Sequence, residues 1–496
     1  MNGSYSPAVY SAGVLLRSRK KGGCVTWRRL SGMDAAFLYA ETPDTPLHVI
    51  GALVLESHGR GPREDFRRIR AQIERRLPGL PLLRRKLGAV PFGLGHPIWI
   101  DDPDFCLDAH LHRMALPAPG GEAELSAVIG RIAETPLRRD RPLWEMYVIE
   151  GLQRGHFALV AKIHHAAVDG VGGALLMCGL LDADRVTPPI RSAEATPEPE
   201  PAPSSAALMA DAAYSLGVQP LRGARQLLRT TGTGARLAFS TLSNREFPLP
   251  SAPRTRLNGR VTGRRAVALG SVQLEDVKQV KNTYASTVNH VVLAACAGAL
   301  RRYLGAHGEI PQEPLVAAVP MALAERPPDG IGNSITPLLM RLPVQLADPL
   351  DRLRASREAS LDAMRTQELL GNLLNEWADL VSPALLLGAT SLYARFGLSE
   401  FHAPLVNLVI SNVPGPTASL YCGGARVTAC HPIGPIYGGC ALNLTVMSYD
   451  GGLGIGAIGC PDAVPGIAEI PRAFEAEVAD LLQIAHGGEA SIAAAS

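Results

Sequence analysis

His164 and His165 are adjacent, and Asp169-Gly170 follow three residues later, in the stretch K-I-H-H-A-A-V-D-G from Lys162 to Gly170. Two imidazoles and a carboxylate this close together suit three kinds of chemistry: holding a metal, activating a nucleophile, or moving a proton. Neighbouring histidines on a strand point to opposite faces, so they do not converge on one ion. The chain also lacks H-E-x-x-H and paired cysteines, and no metal is expected. No G-x-S-x-G elbow is present to supply a serine nucleophile. What remains is an imidazole acting as general base, since its ordinary pKa of about 6.5 lets it take a proton near neutral pH. The substrate then supplies the nucleophile, as an alcohol or an amine. A lone histidine would read as a buried structural residue. Two of them with Asp-Gly at this spacing argue for chemistry.

The elements around the motif must position it. "HFALVAKIH" reads as a strand and "VGGALLMCGLL" as a buried helix, so the motif sits at a strand-to-helix turn. One imidazole then faces a cleft while the other is buried on the opposite face. Asp169 suits the turn and can hold a neighbour in place. Gly170 provides either a positive φ or room for close backbone approach. "LHVIGALVLE" and "WEMYVIEGL" read as further strands, and "REDFRRIRAQIERRL" as a helix laced with salt pairs.

Residues 187–206 are rich in Pro, Glu, Ala and Ser and predict an extended linker. The segment after it carries five arginines (Arg222, Arg225, Arg229, Arg236 and Arg245), with no acid between Asp211 and Glu246. Such a segment can lie on an anionic lipid surface or pack on the body as a solvated crossover helix. A second alternating region follows from Arg254. It includes a helix in "TVNHVVLAACAGALRRYL", strands in "PLVAAVPMAL" and "LVNLVISNVPGP", and a hairpin turning at Asp450-Gly451-Gly452. The expected division is a basic N-terminal extension (1–28), a first domain (29–186), a linker and crossover (187–253) and a second domain (254–496).

The 496 residues suit two domains, and 47% hydrophobic with 19% charged residues is the composition of a folded protein. A net charge of +2 gives no reason to expect nucleic acid as a partner. Eight cysteines are scattered with no C-x-x-C, which predicts free thiols in a reducing compartment. The N-terminal stretch does not have the order of an export signal, and no apolar run of about 18 residues occurs. These features predict a cytoplasmic protein that can attach to a membrane surface without crossing it. They leave its oligomeric state open.

H-H-x-x-x-D-G resembles the signature of the CoA-dependent acyltransferase superfamily. Other blocks narrow the resemblance: "LSGMDAAFLYAETPDTPLHVIGALVLE", "PIWIDDPDFCLDAHLHRMALPAPG", "PLRRDRPLWEMYVIEGL", "STVNHVVLAACAGALRRYL", "GNSITPLLMRLP", "SNVPGP" and "NLTVMSYDGGLGIG". In this order they resemble the bacterial wax ester synthase/diacylglycerol acyltransferase family, from about Leu30 to Leu482. The resemblance implies an α/β fold of two chloramphenicol-acetyltransferase-like domains, with a crossover between them and an active-site tunnel at their interface. It implies transfer of a long-chain acyl group from acyl-CoA, a co-substrate, to diacylglycerol or a long-chain alcohol, with no cofactor. Work at the inner face of the membrane or on lipid droplets follows from those substrates.

On the same resemblance His165 is the general base. His164, Asp169 and Gly170 are structural, with Asp169 pairing with an arginine. Asn289, Ser411 and Asn412 are candidates for contact with substrate or oxyanion. Asn289 opens what the family has as an Asn-Asp pair, but here His290 stands in place of the Asp. Two other readings compete: a condensation-type acyltransferase using carrier-bound acyl groups, and a non-catalytic protein that binds lipid surfaces.

Overall fold

The computed structural model describes residues 27–57, 59, 61–185, 199–244, 251–323, 331–370 and 373–495. Most of the expected N-terminal extension and residues 187–198 of the proline-rich stretch lie outside them.

Along the chain run β1 (Arg28–Arg29), α1 (Gly32–Ala40), β2 (His48–Glu56), α2 (Pro62–Arg76), β3 (Arg85–Gly88), β4 (Ile98–Asp101) and β5 (Leu111–Ala115). Then come α3 (Glu122–Glu134), β6 (Trp144–Glu150), β7 (His156–His164), α4 (Gly170–Leu180) and the long α5 (Ser205–Asn244). The second half holds β8 (Ala266–Gln273), α6 (Leu274–Thr283), α7 (Val288–Ala306), β9 (Leu315–Ala322), β10 (Ile335–Leu342), α8 (Pro349–Leu370), α9 (Leu373–Leu380) and α10 (Pro383–Arg395). It closes with β11 (Leu408–Val413), β12 (Tyr421–Cys422), β13 (Ala425–Ile433), β14 (Leu442–Tyr449), β15 (Gly452–Gly459) and α11 (Glu469–Ala495).

Two six-stranded mixed sheets carry the fold, in the orders β12-β13-β2-β7-β6-β5 and β10-β9-β11-β14-β15-β8, and β1-β4-β3 form a small third sheet. The expected strands and helices around the motif form where the apolar patterns place them. In α2, Pro62 occupies the first turn, and Glu64–Arg68 and Arg70–Glu74 pair across one helical turn. The β14–β15 hairpin turns through Asp450 and Gly451 at φ 43° and 82°, as a tight right-twisted hairpin requires.

Two expectations need correcting. Arg28, placed in the extension, pairs in β1 with Trp99 of β4. The two sheets also do not divide along the chain, because β13 joins the first sheet, antiparallel to β2 from Arg426↔Glu56 to Ile433↔Ile50. That pairing covers the edge of β2 that would otherwise stay open.

The same strand lies against the second sheet. A Cβ on Gly454 would stand 1.9 Å from Cys430 O, and one on Gly456 2.0 Å from Pro432 O. Glycine at alternate positions of β15 therefore lets the two sheets meet backbone to side-chain-free backbone. The second sheet packs on α7, whose residues from Val291 to Leu300 are all buried.

Candidate active site

β7 delivers the histidine pair. His164 lies opposite His48 across the β2–β7 ladder, and His165 N extends that ladder by donating to Leu47 O at 2.9 Å. His164 is buried. Its Nδ1 accepts the Ala166 N–H at 3.0 Å, so the proton of the neutral ring sits on Nε2, 3.4 Å from Glu41 Oε1. His48 Nε2 is 3.3 Å from the same oxygen, and Arg139 reaches Glu41 Oε2 at 2.9 Å. Burial alone would raise the Glu41 carboxyl, but hydrogen bonds from His164 and His48 hold it well below its ordinary range. Burial pushes His48 down to about 4. This cluster anchors the back of the motif and leaves His164 no path to the cavity.

His165 faces the other way, half-buried on the wall of a cavity between the two sheets. Phe37 of α1 stacks on its ring with centroids 4.1 Å apart and planes at 9°. Its Nδ1 lies 3.0 Å from Asn333 Oδ1. Asn333 commits its amide nitrogen to Asp34 Oδ1 and to His165 O, each at 2.7 Å. Both amide hydrogens are thereby spent, so Oδ1 must be the atom that meets the ring. Nδ1 of His165 then carries the hydrogen and donates it, which leaves the Nε2 lone pair unprotonated. Burial lowers the His165 pKa from its ordinary value. Asp34, which fixes Asn333, is itself buried at the start of α1 under the Ser31 cap, and also accepts from Asn333 N at 2.8 Å.

The turn after the histidines is held by three consecutive residues of the second half. Gly332 N donates to Ala167 O at 2.7 Å, Asn333 grips His165, and Ser334 N donates to Asp169 Oδ2 at 2.9 Å. Gly332 is required for two reasons: its φ is 94°, and a Cβ would stand 2.6 Å from Asp34 Oδ2. Asp169 caps α4, its Oδ1 accepting from Gly172 N at 2.7 Å. Both of these Asp169 bonds come from backbone amides; the expected arginine takes part in neither. Gly170 has no positive φ. It is small because α4 starts against β11: a Cβ would stand 2.7 Å from Val413 Cγ2.

The cavity runs from His165 between β2, β7 and α4 on one side and β9, β11 and β14 on the other. Its wall is largely apolar, with Leu53, Leu159, Leu176, Met177 and Cys430 on the first-sheet side. Polar groups are few: His165, Asp169, Ser411, Asn443 and Thr445. Thr445 Oγ1 donates to Asn443 Oδ1 at 2.8 Å, and Asn443 Nδ2 to Pro435 O at 2.9 Å.

Strand alternation along β11 sends Val409, Ser411 and Val413 to the cavity and Asn412 to the opposite face. There Asn412 Nδ2 meets Asn289 Oδ1 of α7 at 3.4 Å. Of the three candidate contact residues, Ser411 lines the cavity, while Asn289 and Asn412 meet each other behind the sheet. His290 is the third residue of α7, its N–H donating to the Thr287 cap at 3.2 Å. Its ring is buried, and burial, with Arg357 nearby, lowers its pKa.

Asp34, Phe37 and Asn333 are site residues the sequence reading did not single out. Asp34 and Phe37 stand three apart just after a Ser cap, so they share one helix face, and that spacing was the available signal.

Two family models match the chain: the wax ester synthase/diacylglycerol acyltransferase catalytic domain over residues 30–292, and the C-terminal domain of the same family over 331–481. This chain belongs to the wax ester synthase/diacylglycerol acyltransferase family. A Mycobacterium tuberculosis protein bearing the name diacylglycerol O-acyltransferase is 37% identical over 480 residues, covering 96% of this chain and 94% of that one. Another from the same organism is 35% identical over 469 residues, covering 94% and 97%. Among solved structures, the wax ester synthase/diacylglycerol acyltransferase from Marinobacter aquaeolei VT8 superposes with a TM-score of 0.65 at 27% identity, covering 92% of this chain and 99% of that one. The first condensation domain of the calcium-dependent antibiotic synthetase shares the fold, with a TM-score of 0.55 at 17% identity over 93% of this chain and 97% of its own. Membership bears out the expected family, the two-domain acyltransferase fold and the class of enzyme: an acyl-CoA-dependent O-acyltransferase that forms triacylglycerol or wax esters.

Proposed function

We infer that His165 is the general base of this transfer. The observation that carries this is the bond pattern of Asn333, which fixes the His165 tautomer with Nε2 free at the cavity. An acceptor hydroxyl, of diacylglycerol or a long-chain alcohol, gives its proton to Nε2 as its oxygen attacks the thioester carbonyl of acyl-CoA. The C–S bond then breaks, and the imidazolium returns the proton to the departing CoA thiolate. The products are an ester and free CoA. The thioester is already activated, so no acyl-enzyme is needed.

Among the described residues no partner holds the Ser411 hydroxyl, which leaves it free to donate to the tetrahedral oxyanion. His164, Asp169 and Gly170 shape the turn. The apolar stretch of cavity beyond His165 suits a hydrocarbon chain. The acceptor is poorly soluble in water, which favours work at a membrane or lipid-droplet surface; no described helix is long and apolar enough to cross a membrane.

The test is acyl transfer by the purified chain from palmitoyl-CoA to diacylglycerol and, separately, to hexadecanol. His165→Ala should lower either product by about 10²- to 10⁴-fold. Undiminished product from His165→Ala would sink the assignment.

A further inference from the structure

Of the nineteen large hydrophobic side chains exposed among the described residues, thirteen come from two segments: α5, and the stretch from α10 to Leu405. A monomer that scattered its exposed apolar groups at random would not gather them this way.

Leu385 and Leu392 of α10, and Phe396 just past its end, follow helical spacing along one outward face. The turn beyond adds Phe401 and Leu405, exposed at 81% and 72%. Residues 382–405 hold a single acid, Glu400.

α5 is built in the same sense. It buries Leu208, Ala212 and Gln226 against the body and displays Tyr214, Leu221 and Leu228, seven residues apart, on the reverse side. A surface helix normally shows charge there. Instead, among the described side chains, the one charge within that stripe is the exposed Arg225, four residues after Leu221 and three before Leu228. No acid occurs between Asp211 and Glu246.

The two segments are neighbours. α9, which leads into α10, meets α5 through Trp377 Nε1 donating to Thr230 Oγ1 at 3.0 Å and through Arg229–Glu376 at 3.2 Å. The patch is also continuous with the active site on two sides. Gly434 and Pro435 line the cavity, and a Cβ on Gly439, four residues on, would stand 3.0 Å from Ser399 Cβ in the turn after α10. α1 lies between the patch and the base. Gly32 N donates to Asp379 Oδ1 at 2.6 Å, and Thr390 Oγ1 of α10 donates to Tyr39 O at 2.9 Å. From that same helix Asp34 and Phe37 reach the His165 assembly.

We propose that α10 with its following turn, together with the outward stripe of α5, is the surface by which this protein docks on an anionic phospholipid surface. The reading rests on the proposal that the acceptor is a water-insoluble lipid. The apolar side chains enter the headgroup boundary, and Arg225 meets anionic headgroups. The cavity then opens beside the lipid that holds the acceptor.

The test is flotation of the full chain with phosphatidylcholine vesicles, with and without phosphatidylglycerol, in the absence of substrate. Two variants are compared: Phe401→Glu with Leu405→Glu, and Leu221→Glu with Leu228→Glu. Their thermal melts should match the unsubstituted chain, since all four side chains are exposed. Binding should need phosphatidylglycerol and weaken as salt rises. Each double variant should bind about a hundredfold less, because each of its two apolar side chains withdrawn from lipid is worth about a factor of ten. Transfer to a short water-soluble alcohol should be unchanged, and transfer to vesicle-borne diacylglycerol should fall with binding. Vesicle binding by the variants equal to that of the unsubstituted chain overturns the proposal. So does sedimentation showing an unsubstituted dimer that the variants break, without vesicle binding. Binding is read without turnover, so a failed acyl-transfer assay leaves this result standing, and failed binding leaves the His165 assignment standing.

Discussion

His165 gains its chemistry from what it touches. Its lowered pKa keeps the imidazole unprotonated further into acid than a free one. The base form is therefore lost only below the ordinary histidine midpoint, about 6.5. The acid limb of kcat/KM should accordingly have its midpoint below pH 6.5, and a midpoint at or above that value would argue against a buried base. Asn333→Ala removes one neutral hydrogen bond to the ring, worth about 0.5–1.5 kcal/mol, so kcat should fall roughly two- to tenfold. Asn333 also favours the protonated ring by accepting from it, so its loss should move the acid limb to still lower pH. A purely structural effect would lower the yield of folded enzyme and leave that midpoint where it was. The histidine pair and Asp169 were legible in the sequence because they are contiguous. Asn333 and Asp34 were not, since they lie 168 and 131 residues from His165 and meet it only through folding.

At the scale of the elements, each helix start is a small electrostatic device. In α7, His290 stands at the third position, where a carboxylate would complete a capping box with Thr287 and complement the positive end of the helix. His290→Asp should therefore stabilise the protein by about 0.3–1 kcal/mol, read as a rise in Tm, with kcat unchanged. A large change in kcat would mean that this position acts in the reaction. The period-two glycines of β15 were visible as G-L-G-I-G, but their purpose was not, because it depends on which strand lies above them. Gly456→Val would drive a side chain into the Pro432 carbonyl and should cost about 3 kcal/mol or more, measurable by denaturant unfolding.

The whole molecule is two sheets sewn together by an exchanged strand. β2 carries His48 and borders β7, and its other edge is covered by β13, from nearly 380 residues further along the chain. A fragment ending at residue 253 would expose that edge, and a fragment starting at 254 would carry β13 with no sheet to join. Expressed separately, the two should be largely insoluble, and co-expression should recover soluble, associated protein. Two independently soluble monomeric fragments would contradict this account of the fold.

Composition, strand and helix periodicity, and the contiguous His-His-x-x-x-Asp-Gly motif were fixed within short stretches of chain. They were enough to predict the α/β texture, the strand-to-helix turn, and that only one of two adjacent histidines faces the cleft, since alternation along a strand is local; that His165 is the one was implied by the family resemblance. The tautomer of His165, the amide donors to Asp169, the reversed placement of Asn289 and Asn412 behind β11, and the exchanged β13 were decided only by tertiary structure. Each depends on residues brought together across one to several hundred positions. Short-range periodicity carries no information about which distant backbone will arrive, or on which face.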